Sequence, residues 1–142
     1  MPPKASLRFV SLFVPDLEEA RRTYEALLGI PPTEGPSPAP AKHPFAAAGP
    51  VVFELGNVAL ALYQVDGKTT HPGDVGFGIE TDVGEATAVI REHGGMVFWA
   101  PAVVGADGRR MAVGVTTDRH FFEMVAGRSS PADDDGDRRS NE

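Results

Sequence analysis

Residues 16–20 read Asp-Leu-Glu-Glu-Ala, and residues 82–86, which begin 66 positions later, read Asp-Val-Gly-Glu-Ala. Each segment follows a run of β-forming residues and opens an amphipathic stretch, which ends at Gly29 in the first copy and at Gly95 in the second. An aspartate followed three residues later by glutamate is typical of a helix start, and glycine of a helix end. The repeat therefore predicts two half-domains, each a strand followed by a capped helix, which pack together and enclose a space between them.

The composition of the chain limits its chemistry. Its 142 residues suit one domain, and the absence of cysteine excludes disulfides, thiolate nucleophiles and sulfur-ligated metals. A net charge of −7 argues against nucleic acid or an anionic membrane as a partner. The N-terminal residues lack the apolar core of a signal peptide or a membrane span, so we expect a cytoplasmic protein.

Hydrophobic periodicity places the remaining elements. Alternation of apolar residues predicts seven strands, and the two capped stretches predict helices. The predicted strands are 7–14, 51–55, 58–65, 75–81, 96–100 (stopped by Pro101), 109–115 and 121–125, and the predicted helices are 16–28 and 82–93. The segment from Gly29 to Pro50, rich in Pro, Ala and Gly, is predicted to be a long loop with one short strand near 43–47, and it serves either as a lid or as a connector.

The C-terminal residues 128–142 hold no bulky apolar side chain and include three consecutive aspartates, Asp133 to Asp135. Such a segment has nothing to bury, so it is predicted to be a disordered acidic tail. The folded part is predicted to be a single domain over 1–127. Its first module covers about 6–66 and its second about 74–126.

Two stretches resemble motifs of a known superfamily. Residues 14–29 read V-P-D-L-E-E-A-R-R-T-Y-E-A-L-L-G, and residues 118–124 read D-R-H-F-F-E-M, a shortened form of an Asp-Pro-Asp-Gly-His-x-x-Glu ending. With the repeat, they resemble the vicinal oxygen chelate superfamily of glyoxalases, bleomycin-resistance proteins and extradiol dioxygenases. The resemblance implies an α+β fold in which two βαβββ modules form an open U-shaped mixed sheet around a concave cavity, with helices on the outer face. It also implies a homodimer.

The same resemblance implies where metal ligands would lie. One position near the start of each module's first strand and one on its last strand correspond here to Phe9, Val75, Ala61 and Glu123. Three of these four side chains are hydrocarbon, and one carboxylate does not hold a divalent ion against water. We therefore expect neither a metal nor another cofactor, and no catalytic residue is assigned.

Strand alternation places a largely apolar set on the concave face, either as cavity lining or as plain packing. Glu123 is the one charged member, and an unpaired buried carboxylate is costly, so we expect Ser11, Tyr63 or a cationic ligand as its partner. The predicted ligand-binding residues are Phe9, Ser11, Phe13, Ala61, Tyr63, Val75, Phe77, Trp99, Phe121 and Glu123.

The four histidines are predicted to be structural or exposed. His120 is expected in a turn or cap, and His93 at a helix C-terminus, where an imidazole suits the helix dipole. His43 and His71 each precede a proline in a loop, and both are predicted to be exposed to solvent.

Three hypotheses of function follow. The first is a metal-free binding protein of the bleomycin-resistance type, which sequesters an apolar or aromatic molecule, planar or cationic, in a cavity or dimer groove and so confers antibiotic resistance. The second is a metal-dependent lyase, isomerase or dioxygenase with atypical ligands, which needs His43 or His71 beside Glu123. The third is a dimeric interaction module whose concave face is filled by its own side chains and the partner subunit. A cavity large enough for a ligand would separate the first from the third.

Overall fold

The computed structural model describes residues 3–67, 73–104 and 109–127. Within these residues there are two helices, α1 (Leu17–Leu28) and α2 (Val83–Glu92). The strands are β1 (Ser6–Val14), β2 (Ala48–Leu55), β3 (Val58–Gln64), β4 (Val75–Glu80), β5 (Met96–Val104), β6 (Arg109–Val115) and β7 (Phe121–Val125).

The seven strands form one mixed sheet in the order β2-β3-β1-β4-β7-β6-β5. The first strands of the two halves, β1 and β4, are antiparallel neighbours in the middle of the sheet. Each of them has the last strand of its own half on its other side, β3 beside β1 and β7 beside β4, and both of these pairs are parallel. This symmetry confirms the two-module α+β prediction.

Both helices begin as the repeat predicts. The Asp16 side chain accepts a hydrogen bond from the Glu19 amide at 3.0 Å, and Asp82 accepts one from the Glu85 amide at 2.9 Å. Gly29 ends α1 in the left-handed conformation, with φ of 74°. α2 covers the outer face of the second half, where its Val83 packs in a cluster with Met124. The helices therefore leave the opposite face of the sheet free for other contacts.

The first half departs from the predicted βαβββ pattern because it supplies three strands. The short strand expected near 43–47 is absent, and this part of the chain is irregular. It folds over the inner face of the sheet, where Ala39, Pro40 and His43 are buried. We call residues 36–47 the covering segment.

One strand boundary is also different. The prediction that β5 stops at Pro101 is wrong, since the strand continues to Val104. β5 lies at the edge of the sheet, and its register with β6 is irregular between Trp99 and Ala102. An edge strand with a bulge tolerates proline, because its missing N–H is not needed for pairing.

Several predictions lie outside the described residues. They concern His71, the turn at residues 105–108 and the tail at residues 128–142. In the part of the chain that the structure describes, neither helix has the length and apolar character needed to cross a bilayer.

Candidate functional site

The concave face of the sheet carries a cluster of buried aromatic rings. β1 contributes Phe9 and Phe13, β3 contributes Tyr63, and β7 contributes Phe121. The Phe13 ring is stacked on Tyr63 with centroids 5.6 Å apart and lies 5.7 Å from Phe121. Ala61 is also buried in this cluster. The structure therefore brings together five of the predicted binding residues.

Glu123 lies on the same face and is fully buried, as the sequence predicts. Its Oε1 atom has no hydrogen-bond partner among the described residues, and neither has the hydroxyl of Ser11, another predicted site residue. The Tyr63 hydroxyl donates instead to the Pro40 carbonyl at 2.6 Å. The prediction that Ser11 or Tyr63 binds the Glu123 carboxylate is therefore wrong.

The partner of Glu123 is His43. The Nε2 atom of His43 is in a short contact with Oε2 of Glu123, and both side chains are fully buried. The centroid of the imidazole lies 4.9 Å from those of Phe13 and Tyr63, and 5.3 Å from that of Phe45. The predicted exposure of His43 is wrong, because the covering segment carries this side chain across the sheet onto the carboxylate.

The hydrogen bonds of His43 assign its tautomer. The amide N–H of Phe45 donates to Nδ1 at 3.3 Å, so that nitrogen acts as an acceptor. The ring hydrogen then belongs on Nε2, which faces Glu123 and donates to it. The imidazole thus satisfies one oxygen of the carboxylate and leaves the other, Oε1, without a donor among the described residues.

Besides the His43–Glu123 pair, hydrogen bonds from side chains of the sheet hold the covering segment in place. The guanidinium of Arg109 donates to the carbonyls of Pro38 and Ser37 at 3.0 and 3.3 Å, and the Tyr63 hydroxyl holds Pro40. Burial, and secondarily the charge of Glu123, raises the pKa of Tyr63 well above its usual value of 10.0. Tyr63 therefore stays protonated and remains a donor to the segment.

The residues of β4 on the concave side of the sheet are not the ones that the sequence predicted. Gly76 and Gly78 lie on the concave side, since an added Cβ at Gly78 would be 2.3 Å from the Phe9 ring and one at Gly76 would be 2.6 Å from Oε1 of Glu123. Val75 is instead 42% exposed, and Phe77 packs against Phe122.

The placement of Val75 and Phe77 in the cavity is therefore wrong. The pairing of β1 with β4 shifts register between Leu7 and Phe9, which the 66-residue repeat does not reveal. Gly76 and Gly78 alternate with larger residues along β4, which indicates a close approach on one face, but only the pairing of Gly78 with Phe9 shows which face that is. Trp99 lies in β5, and its side chain is outside the described part of the structure.

The donors on the concave face do not fit a divalent metal ion. Phe9 and Ala61 occupy two of the four positions implied by the resemblance, and Val75 lies on the other face. Within the described residues, no group of three or more His, Asp or Glu side chains is placed to hold a metal. Glu123 and His43 supply two donors that already contact each other, fewer than a structural or catalytic ion requires.

A cleft borders the covering segment at His43. It has a volume of about 380 Å³, and its other walls are Ala41, Lys42 and Ala46 to Gly49. The concave face below it is filled by side chains of the sheet and the covering segment. A ligand that reached Glu123 would therefore have to displace His43.

Comparisons with known proteins show similarity in structure. A scan of the sequence against protein-family models gives no match, and a search of curated proteins gives none either. Methylmalonyl-CoA epimerase in complex with methylmalonyl-CoA and NH4+ has a TM-score of 0.63 at 17% identity, covering 89% of this chain and 97% of that one.

Two further solved structures show the same similarity. A variant of Streptomyces coelicolor methylmalonyl-CoA epimerase, in complex with 2-nitronate-propionyl-CoA, has a TM-score of 0.62 at 18% identity and covers 87% of this chain and 95% of its own. A glyoxalase/bleomycin resistance protein/dioxygenase superfamily member from Vibrio splendidus 12B01 has a TM-score of 0.59 at 15% identity, with coverage of 86% and 100%. At these identities the comparisons establish the fold.

Proposed function

We propose that this chain, which has the fold of the vicinal oxygen chelate superfamily, is a metal-independent binding protein for a small aromatic molecule. The observation that carries the proposal is Glu123, a fully buried carboxylate among aromatic rings, one oxygen of which has no partner in the described structure. Leaving such an atom without a donor costs free energy, which a ligand with an N–H or O–H group would recover. Sequestration of the ligand without chemical change, as in the bleomycin-resistance type of activity, is the finer form of this proposal.

The covering segment is the part that must move for binding. It closes the concave face with Ala39, Pro40 and His43, and the cleft beside it is of the size of small-ligand sites. The third hypothesis, an interaction module, also predicts a concave face that is filled by the protein's own side chains. Binding of a ligand that opens the segment separates the two hypotheses.

A calorimetric titration tests the proposal. A panel of neutral and cationic aromatic molecules is added to the wild-type protein, to Phe13→Ala and to Phe77→Ala. We expect at least one compound to bind, and Phe13→Ala to weaken it, because Phe13 lies on the concave face beside His43. Phe77→Ala is the matched control on the outer face and should bind as the wild type does. Equal losses in both variants, or no binding in the wild type, would contradict the proposal.

The His43–Glu123 pair favours a second candidate, a metal-independent enzyme that moves a proton. A carboxylate that orients an imidazole is a recurrent arrangement for general acid–base catalysis. Such an enzyme would exchange a C–H hydrogen of its substrate with solvent. Incubation of carbonyl compounds in D2O, followed by mass spectrometry, would detect this, and His43→Ala should abolish the exchange.

We also propose that the protein forms a homodimer. The edge strand β5 exposes Met96 and Phe98, with 60% and 48% of their surface accessible, and solvated apolar side chains at a sheet edge favour association. Light scattering during gel filtration should give twice the chain mass. Met96→Glu should shift the protein to the monomer, and a monomer at all concentrations of the wild type would refute the proposal.

A further inference from the structure

The imidazole of His43 is placed as a bound ligand would be. It comes from the irregular covering segment, yet its side chain is fully buried between rings of the sheet. The Phe13 ring meets it edge-on at 71°, and the Tyr63 ring lies at the same centroid distance, 4.9 Å. Its Nε2 meets Glu123. The space between Phe13, Tyr63 and Glu123, which we call the pocket, therefore already accommodates a small planar ring with an N–H group directed at a carboxylate.

The His43 imidazole satisfies only one of the two oxygens of the Glu123 carboxylate within the described structure. A carboxylate is an acceptor at both oxygens, and His43 supplies a single donor to Oε2. Oε1 is buried without a partner in the described structure. A planar group with two parallel N–H donors would satisfy both oxygens at once, in the bidentate geometry that makes such pairs strong. The aromatic walls add attraction for a positive charge.

We propose that Glu123 and the surrounding rings form a subsite for planar cations with paired N–H groups, such as an aromatic amidinium or guanidinium, and that His43 occupies this subsite until the ligand displaces it. The inference rests on the proposed function and names the ligand class of the same site. It follows that His43 competes with the ligand. Removal of the imidazole should then raise the apparent affinity, because a site that is mostly filled binds in proportion to its open fraction.

The probe for this subsite is benzamidine, and its matched control is acetophenone, which has a similar shape and no N–H group. A ligand that binds only the native state, at a free concentration of ten times its Kd, should raise the Tm by about 3–6 °C. We expect benzamidine to bind His43→Ala at least about tenfold more tightly than the wild type. Acetophenone should leave the Tm of both proteins unchanged within about 1 °C.

Two further variants test whether benzamidine binds through the Glu123 carboxylate or only fills the space that the imidazole leaves. In His43→Ala combined with Glu123→Gln, the tighter binding of benzamidine should be lost. His120→Ala removes a histidine that also faces a carboxylate, Asp118 at 3.3 Å, but in solvent. Benzamidine should bind this control as it binds the wild type. Equal binding of acetophenone and benzamidine to His43→Ala, or undiminished binding to the double variant, would overturn the inference.

Should His43→Ala fail to fold, the wild type supplies the decisive measurement. Saturation with benzamidine should move the NMR signals of the His43 ring to those of a solvent-exposed imidazole, and signals that stay in place would overturn the inference. The proposed function fails separately, when no aromatic compound of any kind binds the wild type. Binding of neutral aromatics without a preference for benzamidine keeps that function and rejects the subsite.

Discussion

Replacement of Gly78 by alanine is the most direct test of the register that builds the site. The residue faces Phe9 on one neighbouring strand and Glu123 on the other. An alanine Cβ would lie 2.3 to 2.4 Å from three atoms of the Phe9 ring, where an ordinary contact between carbon atoms is about 3.5–4.0 Å. Phe9 is fully buried, so its ring has no solvent to move into. The added methyl group therefore has to displace the ring or the strand by more than about 1 Å.

Overpacking of this kind costs about 1–3 kcal/mol, and the complete burial of Phe9 places Gly78→Ala at the upper end of that range. For a chain of this size each kcal/mol lowers the Tm by about 2–4 °C, so we expect a decrease of about 4–12 °C. Urea unfolding followed by circular dichroism measures the change in the free energy of unfolding.

The same substitution at Gly84 is the matched control. Gly84 lies in α2, where an added Cβ would come no closer than 3.7 Å to a neighbour, the Asp82 carboxylate. Alanine is the better helix former, so Gly84→Ala should stabilise the protein by about 0.5–1 kcal/mol. In a Phe9→Leu background, which lacks the colliding ring atoms, Gly78→Ala should cost less than in the wild type. A Gly78→Ala protein within about 0.5 kcal/mol of the wild type would refute the assignment of this glycine to the concave face.

Three further outcomes are expected. The pKa of Tyr63 is raised in the folded state, so the contribution of its protonated hydroxyl to stability is complete below pH 10.0 and declines above it, by up to about 1.4 kcal/mol per pH unit. Urea unfolding between pH 8 and 11 should show this decline in the free energy of unfolding. A decline of equal slope in Tyr63→Phe would assign it to other groups. Asp16→Ala and Asp82→Ala should each destabilise the protein by about 0.5–2 kcal/mol through loss of a helix cap, whereas unchanged midpoints of urea unfolding would show that these caps contribute nothing. A chelator should leave the Tm unchanged and elemental analysis should find no stoichiometric metal, because no group of three or more His, Asp or Glu side chains is placed to hold an ion within the described residues. About one ion per chain would contradict this expectation.

The amino-acid sequence by itself determined the elements whose signals are local. The caps at Asp16 and Asp82 depend on an amide three residues away, and both helices form where the repeat predicts. Alternation along β1 and β7 likewise placed Phe9 and Glu123 on the buried inner face, because side chains of a strand point to opposite faces in turn. These signals predicted the two strand–helix half-domains, the resemblance to a known superfamily implied the fold class, and the comparisons with solved structures confirm that fold.

The tertiary structure alone decided the position of His43 and the face presented by β4. His43 is separated by 80 residues from Glu123, and no local pattern records that a loop will cross the sheet to reach a carboxylate. The register of β4 depends on a shift in its pairing with β1 and on the room left by Phe9, which only glycine fits. Both features are contacts between segments distant in the chain, so they are fixed by packing in three dimensions and not by periodicity along the sequence.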